Sequence, residues 1–274
     1  MYGLSVTTPS RTLLVGSGKI AARLAPLILA HGEVFALRRS DAEPPAGVTG
    51  IRADLAAPLA SRLPAVDAMV VTLPPGEGVS AYRTALTHLA EALPAIPART
   101  VFVSSTGVFD GPGAARPITE QDDPEPTSAR SRGLRDGERA AVEIFDAVVV
   151  RPAGIYGPGR DFLLRKVREG AAVEHARRTN RIHETDLVRT LELLLRTPAP
   201  PRLVHAVDES PAPLGEVVGF IARELGVDVP PDIDSADPGG FVYDGSLLRS
   251  LLGTLEYPTY REGYAEMIAG PTAS

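Results

Sequence analysis

The chain contains no cysteine and no tryptophan, and its only lysines are Lys19 and Lys166. Without cysteine, thiol catalysis, disulfides and cysteine-based metal sites are all excluded. No metal site is expected. No apolar run is long enough to span a bilayer. The N-terminal MYGLSVTTPSR lacks a basic stretch followed by an apolar core, so it does not read as a secretory signal, and a cytoplasmic location is expected. A net charge of −6 argues against a nucleic-acid or membrane partner. Apolar residues make up 44% and charged residues 23%, ordinary values for a soluble globular chain. A length of 274 residues allows one large α/β domain, or a domain with a smaller lobe.

What is present is concentrated first in Thr12 to Ala25, TLLVGSGKIAARLA. Four apolar or β-branched residues, Thr12 to Val15, run into Gly16, Ser17 and Gly18, and a helical pattern follows. A strand, a tight glycine turn and a helix N-terminus together present backbone N–H groups and the positive end of a helix dipole to an anion. The spacing Gly16, Gly18, Ala21 fits the dinucleotide-binding fingerprint with its permitted terminal alanine. Gly16 permits the turn, Gly18 permits close approach of a pyrophosphate, and Ala21 permits close helix–strand packing.

The first helix is expected over about 19–29, and a second strand over Glu33 to Leu37. Arg38, Arg39 and Ser40 follow at once, where an NAD-preferring site carries a carboxylate for the ribose 2′-hydroxyl. Two guanidiniums and a hydroxyl suit a 2′-phosphate, which favours NADP over NAD. Thr49 to Arg52 reads as a third strand, and Asp54 after it either accepts from an adenine amino group or caps the next short helix. Further strands are expected at Ala68 to Thr72, Thr100 to Val103 and Ala147 to Val150, with helices at 79–93 and 129–145. Buried strands alternating with helices imply a parallel sheet covered on both faces, whose ligands bind beyond the carboxyl ends of the strands. Gly16, Arg38, Asp54, Thr72 and Ser105 all fall there.

The proline- and acid-rich stretch Gly111 to Pro126 reads as a candidate lid. Beyond it, helices are expected over 162–169, 184–196 and 214–225, with a strand over Leu203 to Val207. Residues from Val229 onward are rich in proline and glycine. The expected fold class is α/β: a Rossmann doubly wound parallel sheet over 1–157, completed by 183–207, with a small C-terminal substrate lobe from 158–182 and 208–274.

At RPAGIYGPGR, residues 151–160, the chain resembles an extended short-chain dehydrogenase/reductase of the NAD-dependent epimerase/dehydratase type, close to the sugar-nucleotide epimerase-like members. VGSGKIAARLA, LRRS, VFVSSTGVFD, RIHETDLVRTL and YPTYREGYAEMI match in the same order over nearly the whole chain. The resemblance implies a Rossmann domain holding NAD(P), with substrate against the C-terminal lobe. By motif, Gly16, Gly18 and Ile20 would sit at the pyrophosphate, Arg38 and Arg39 at the 2′-phosphate, Asp54 near the adenine, and Leu73 and Pro74 beside the ribose. Pro152, Ala153 and Ile155 would flank the nicotinamide. Ser17, Lys19, Ser40, Thr72 and Ser104 complete the expected cofactor set. Ser105 aligns with the serine or threonine that hydrogen-bonds the reacting oxygen. His183 reads as a loop-fixing residue rather than a catalyst.

The sequence departs from the family on the helix over 129–145. Typical members carry Tyr-x-x-x-Lys there, with both side chains on one helix face. With Glu138 as anchor, the tyrosine position falls on Arg130 and the lysine position on Leu134. No tyrosine in the chain has a lysine four residues on. Arginine stays protonated near neutral pH, so Arg130 holds an anion rather than cycling a proton. Arg130, Arg160 and Arg181 are the candidate substrate contacts. Two functions compete: an NADP-dependent oxidoreductase or epimerase with a non-standard proton donor, and a non-catalytic NADP(H)-binding sensor. Relatives of this type pair through the helices over 79–93 and 129–145, where the charged Arg132, Arg135, Asp136, Glu138 and Arg139 leave monomer and homodimer both open.

Overall fold

A computed structural model describes residues 8–74, 76, 78–111, 113–114, 116–235 and 239–270. Most of the N-terminal stretch read for a signal, and residues 112 and 115 of the candidate lid, lie outside the described residues. In chain order the elements are β1 (Arg11–Val15), α1 (Lys19–Leu29), β2 (Glu33–Arg38), β3 (Thr49–Arg52), β4 (Ala68–Val71), α2 (Ala81–Ala92), β5 (Arg99–Val103), α3 (Ala129–Phe145) and β6 (Val148–Pro152). Then follow β7 (Gly154–Tyr156), α4 (Phe162–Arg168), β8 (Arg178–Thr179), β9 (Arg181–His183), α5 (Glu184–Arg196), β10 (Leu203–Ala206), β11 (Ala212–Pro213), α6 (Leu214–Leu225), α7 (Ser246–Leu252) and α8 (Tyr260–Ala269).

Seven strands form one sheet in the order β10-β6-β5-β4-β1-β2-β3. The pairings β1–β2, β1–β4, β4–β5, β5–β6 and β2–β3 are parallel. The chain starts in the middle of the sheet, winds outward to β3, then returns to β4 on the other side of β1. That reversal is the switch point at which doubly wound sheets bind ligands. It lies where β1 and β4 end, beside Gly16 and Thr72. The fold is the Rossmann-type α/β class expected from the strand–helix alternation.

Two compact units emerge. The first gathers the chain up to Asp110 with Pro124–Arg151 and Val188–Val204. Its core includes Leu13, Val15, Met69, Val71, Phe102, Leu86, Leu89 and Leu134. All four residues of β4 are buried, as a central parallel strand requires. Here α2 and α3 pack closely because α3 presents glycine: a Cβ at Gly137 would lie 2.8 Å from the Tyr82 ring. Helix α3 opens with a capping box between Ser128 and Ser131, which satisfies two otherwise orphaned N–H groups.

The second unit comprises Gly111–Asp123, Pro152–Leu187 and the chain from His205 onward. Tyr156, Leu164, Val167, Val217, Val218, Ile221, Tyr260 and Tyr264 form its core. Its C-terminal part is more regular than its proline and glycine content suggests. Helices α7 and α8 were not anticipated, although Thr259 and Glu262 form the capping box that starts α8. That S/T-x-x-E pattern is a helix signal, and the adjacent Pro258 does not oppose a helix that begins after it. The candidate lid is tied down within this unit. Ile118 N donates to Val242 O at 2.8 Å, Asp244 N donates to Ile118 O at 2.8 Å, and His205 N donates to Glu120 Oε1 at 2.9 Å.

Candidate functional site

The glycine turn is built as its spacing requires. Gly16 has φ +97°, a left-handed conformation that a side chain would strain, and a Cβ there would lie 2.9 Å from Thr72 Oγ1. Thr72 locks the turn from the neighbouring strand, with N donating to Val15 O at 2.8 Å and Oγ1 to Gly16 O at 3.2 Å. Gly18 differs from Gly16: its φ is −86°, and a Cβ placed on it meets nothing within 4 Å. The space in front of Gly18 is open, no side chain caps the helix, and no acidic residue sits in its first turn. The turn therefore offers uncapped N–H groups and the positive end of α1 to an anion. Ser17 is half-buried and Lys19 exposed, whereas the Ile20 side chain is buried in the core, leaving only its backbone to face a ligand.

At the end of β2, Arg38 is half-buried and Arg39 and Ser40 are exposed. The Arg38 guanidinium lies across β3, its Nη2 3.3 Å from where a Cβ at Gly50 would stand. Its Nη1 is buried and has no hydrogen-bond partner. Arg151 Nη1, Arg181 Nη1 and Arg196 Nε are buried without a partner too. What sets Arg38 apart is its place at the carboxyl end of β2, beside the glycine turn, where a guanidinium can meet an anion. Asp54 caps a turn rather than a helix, Oδ1 accepting from Ala56 N at 3.0 Å. Leu73 is half-buried and Pro74 exposed, immediately beyond Thr72.

The next strand, β5, brings two serines with different fates. Ser104 is buried, and its Oγ donates to Glu138 Oε1 at 2.8 Å, so its side chain is committed to α3. Ser105 is half-buried and starts a single 3₁₀ turn, its Oγ accepting from Gly107 N at 3.0 Å. The hydroxyl proton of Ser105 remains able to donate to a bound oxygen. Glu138 also receives Arg151 Nε at 2.7 Å and Nη2 at 2.8 Å. This knot sets the register of α3. One turn before Glu138, Leu134 is buried, with its Cδ1 3.7 Å from a Cβ position at Gly107. One turn earlier still, Arg130 is exposed.

The remaining candidates lie in the second unit. Pro152 and Ala153 are buried, Ala153 N donating to Ala206 O at 3.0 Å, while Ile155 pairs with Ile182 across β7–β9. Arg160 Nε donates to the fully buried Glu184 at 3.0 Å. Arg181 is buried, its Nη2 donating to Thr179 Oγ1 at 2.7 Å and its guanidinium lying 5.6 Å from the Tyr260 ring centre. Both arginines thus carry structural partners. His183 is buried between aromatic rings, 3.7 Å from Tyr257 centre to centre, with Nδ1 accepting from Thr185 N at 3.3 Å. Asp208 was not singled out by spacing. Burial pushes its carboxyl up to about 7, against the opposing pull of a backbone hydrogen bond from Ser210 and the charge of Arg181. Tyr82 was missed as well; its phenol donates to Leu73 O at 3.1 Å. A lone tyrosine at the start of a helix gives no signal in sequence.

Among the described residues, no cluster of three metal-ligating side chains occurs, and no helix is long and apolar enough to cross a membrane.

The sheet order with its switch point, the glycine turn and the β5–α3 junction define a Rossmann-type protein with the fold of NAD-dependent epimerases and dehydratases. Escherichia coli K12 Protein YeeZ is 30% identical over 206 residues, which cover 70% of this chain and 72% of YeeZ. The chain belongs to the YeeZ family. A family model described as the RmlD substrate binding domain matches residues 77–179. The dTDP-4-dehydrorhamnose reductase of Mycobacterium tuberculosis H37Rv is 33% identical over 133 residues, 44% of each chain. Among solved structures, a Methylobacillus flagellatus protein provisionally assigned as an NAD-dependent epimerase/dehydratase superposes with TM-score 0.79 at 26% identity, covering 96% of this chain and 98% of that one. MoeE5 in complex with UDP-glucuronic acid and NAD shares the fold, with TM-score 0.74 at 24% identity over 95% of this chain and 98% of its own.

Proposed function

We propose that the chain binds NADP at the β1–α1 turn and is an oxidoreductase or epimerase acting on a polar small molecule, in the first instance a sugar nucleotide. The observation that carries the cofactor is the buried, unpartnered Nη1 of Arg38 at the end of β2, with Arg39 and Ser40 exposed beside it. The open space before Gly18 supports the same reading. In it, N–H groups of the α1 first turn hold the pyrophosphate, Arg38 and Arg39 hold the 2′-phosphate, and Leu73 and Pro74 border the ribose. The nicotinamide ring supplies a site for hydride exchange when bound. Relatives named for sugar-nucleotide chemistry motivate the substrate class.

Ser105 donates a hydrogen bond to the reacting oxygen and holds the water that supplies or takes the proton. Asp110, His183, Asp161 and Tyr243 are the other candidates for that role, and the first two are otherwise engaged. Asp110 accepts from Thr127 N, Ser128 N and Ser131 Oγ, which hold its carboxyl well below the usual range, so it stays ionised. His183 Nδ1 accepts from a backbone N–H. Arg130 remains charged and holds substrate anion from the position a tyrosine occupies in typical relatives. Arg160, partly exposed although paired with Glu184, is the substrate-lobe contact in this reading, while the buried Arg181 supports that lobe from within. In this reading the protein works in the cytoplasm as a monomer or homodimer, with Arg83, Asp136 and Glu143 forming ion pairs between α2 and α3.

Titration with NADPH and NADH by nicotinamide fluorescence tests the reading. NADPH is expected to bind tighter, and Arg38→Ala with Arg39→Ala to cost about tenfold or more in NADPH affinity while sparing NADH. Equal affinities, or no loss on substitution, refute it. The buried Leu134 at the lysine position favours a second reading, a non-catalytic NADP(H) sensor. Single-turnover oxidation of bound NADPH by a sugar-nucleotide ketone, lost in Ser105→Ala, would eliminate that alternative.

A further inference from the structure

Tyr82 is the second residue of α2 and is only 5% exposed. Its phenol donates to Leu73 O at 3.1 Å. Leu73 directly follows Thr72, whose hydroxyl and N–H bond the carbonyls of Gly16 and Val15 in the glycine turn. One carbonyl therefore joins the end of β4 to α2, and the residue before it joins β4 to the turn. The Tyr82 ring is held on two sides. It meets Phe102 of β5 edge-on at 5.5 Å, and Gly137 of α3 leaves room for it, since a Cβ there would lie 2.8 Å from the ring. Between β4 and α2, Gly76 approaches the start of the helix: a Cβ on it would lie 2.7 Å from the Ala81 Cβ.

Phenylalanine would fill the same volume and keep the same ring contacts. The hydroxyl adds one thing, a donor for Leu73 O. Burial pushes the phenol up to about 12, the Arg130 charge opposing, so the donor stays protonated over the whole working range. We infer that Tyr82 is a positioning residue for the dinucleotide, holding residues 72–74 at the height above the glycine turn that the cofactor needs. This inference rests on the dinucleotide reading above. It also links α3, which carries Arg130, to the cofactor end of β4 through one side chain.

The test is Tyr82→Phe in the full chain, with NADPH affinity measured by nicotinamide fluorescence at 20 °C and Tm measured without ligand. The expected result is about three- to tenfold weaker NADPH binding, the loss of one buried hydrogen bond acting on the ligand-contacting segment. A merely structural hydroxyl lowers Tm and leaves an affinity measured well below Tm unchanged; that outcome overturns the assignment. Equal affinity in both proteins overturns this inference alone. Absence of NADPH and NADH binding by the unsubstituted protein overturns it together with the dinucleotide reading.

Discussion

Glu138 and Arg151 meet in a two-pronged ion pair, Nε to Oε1 at 2.7 Å and Nη2 to Oε2 at 2.8 Å, with both side chains almost wholly buried. Ser104 and Arg135 add further hydrogen bonds to the same carboxylate. Removing one partner leaves the other charge buried without compensation. Glu138→Ala is therefore expected to lose about 3–5 kcal/mol of stability in urea unfolding. A loss below about 1 kcal/mol would show that the pair does not hold α3 in register.

Gly16 and Gly18 separate stability from binding. Gly16→Ala forces a side chain into φ +97° and against Thr72, and is expected to cost about 1–3 kcal/mol. Gly18→Ala meets open space, so its Tm should match the parent while NADPH affinity falls. Thermal melts and nicotinamide titration check both. The reverse pattern would put the ligand elsewhere.

Asp208 makes stability depend on pH. Its carboxyl rises from 3.8 in the unfolded chain to about 7 in the fold, so the native state binds the proton more tightly. Its contribution is fully present below the unfolded value and is lost as pH rises through the folded one. The loss amounts to about 4 kcal/mol at most across that window. Asp208→Asn stays neutral, so its stability relative to the parent should improve between pH 5 and pH 8. Parallel pH profiles of Tm for the two proteins would refute this.

Arg160 pairs with a Glu184 side chain that has no solvent exposure. Arg160→Ala is expected to lower Tm even without substrate, by an amount equivalent to about 2 kcal/mol or more. An effect confined to substrate KM, with Tm unchanged, would instead make Arg160 a pure ligand contact.

Much of the fold was legible because it rests on local patterns. The expected spans 129–145, 184–196 and 214–225 coincide with α3, α5 and α6, where apolar spacing agrees with the tertiary packing, helped in α3 by its capping box. Strands β1 and β4 were legible as short apolar runs next to turn residues. Helices α7 and α8 were not, because proline and glycine around Pro258 and Gly253 mask short helices whose apolar faces become meaningful only against the core of the second unit. The candidate lid read as unstructured because its bridge to Tyr243 joins residues far apart in sequence.

By itself, the sequence determined the glycine turn, the arginines after β2, the serine pair after β5 and the lack of a tyrosine–lysine pair, since each is a matter of residue type at fixed spacing along one strand–turn–helix unit. Tertiary structure alone decided which of these groups are committed. Ser104 is turned to a buried carboxylate and Ser105 is not, Arg160 is paired, and Arg38 keeps one nitrogen unpartnered. The physical reason is that desolvation and hydrogen-bond partners come from distant strands and helices, and a side chain's chemistry follows from what surrounds it once water is excluded.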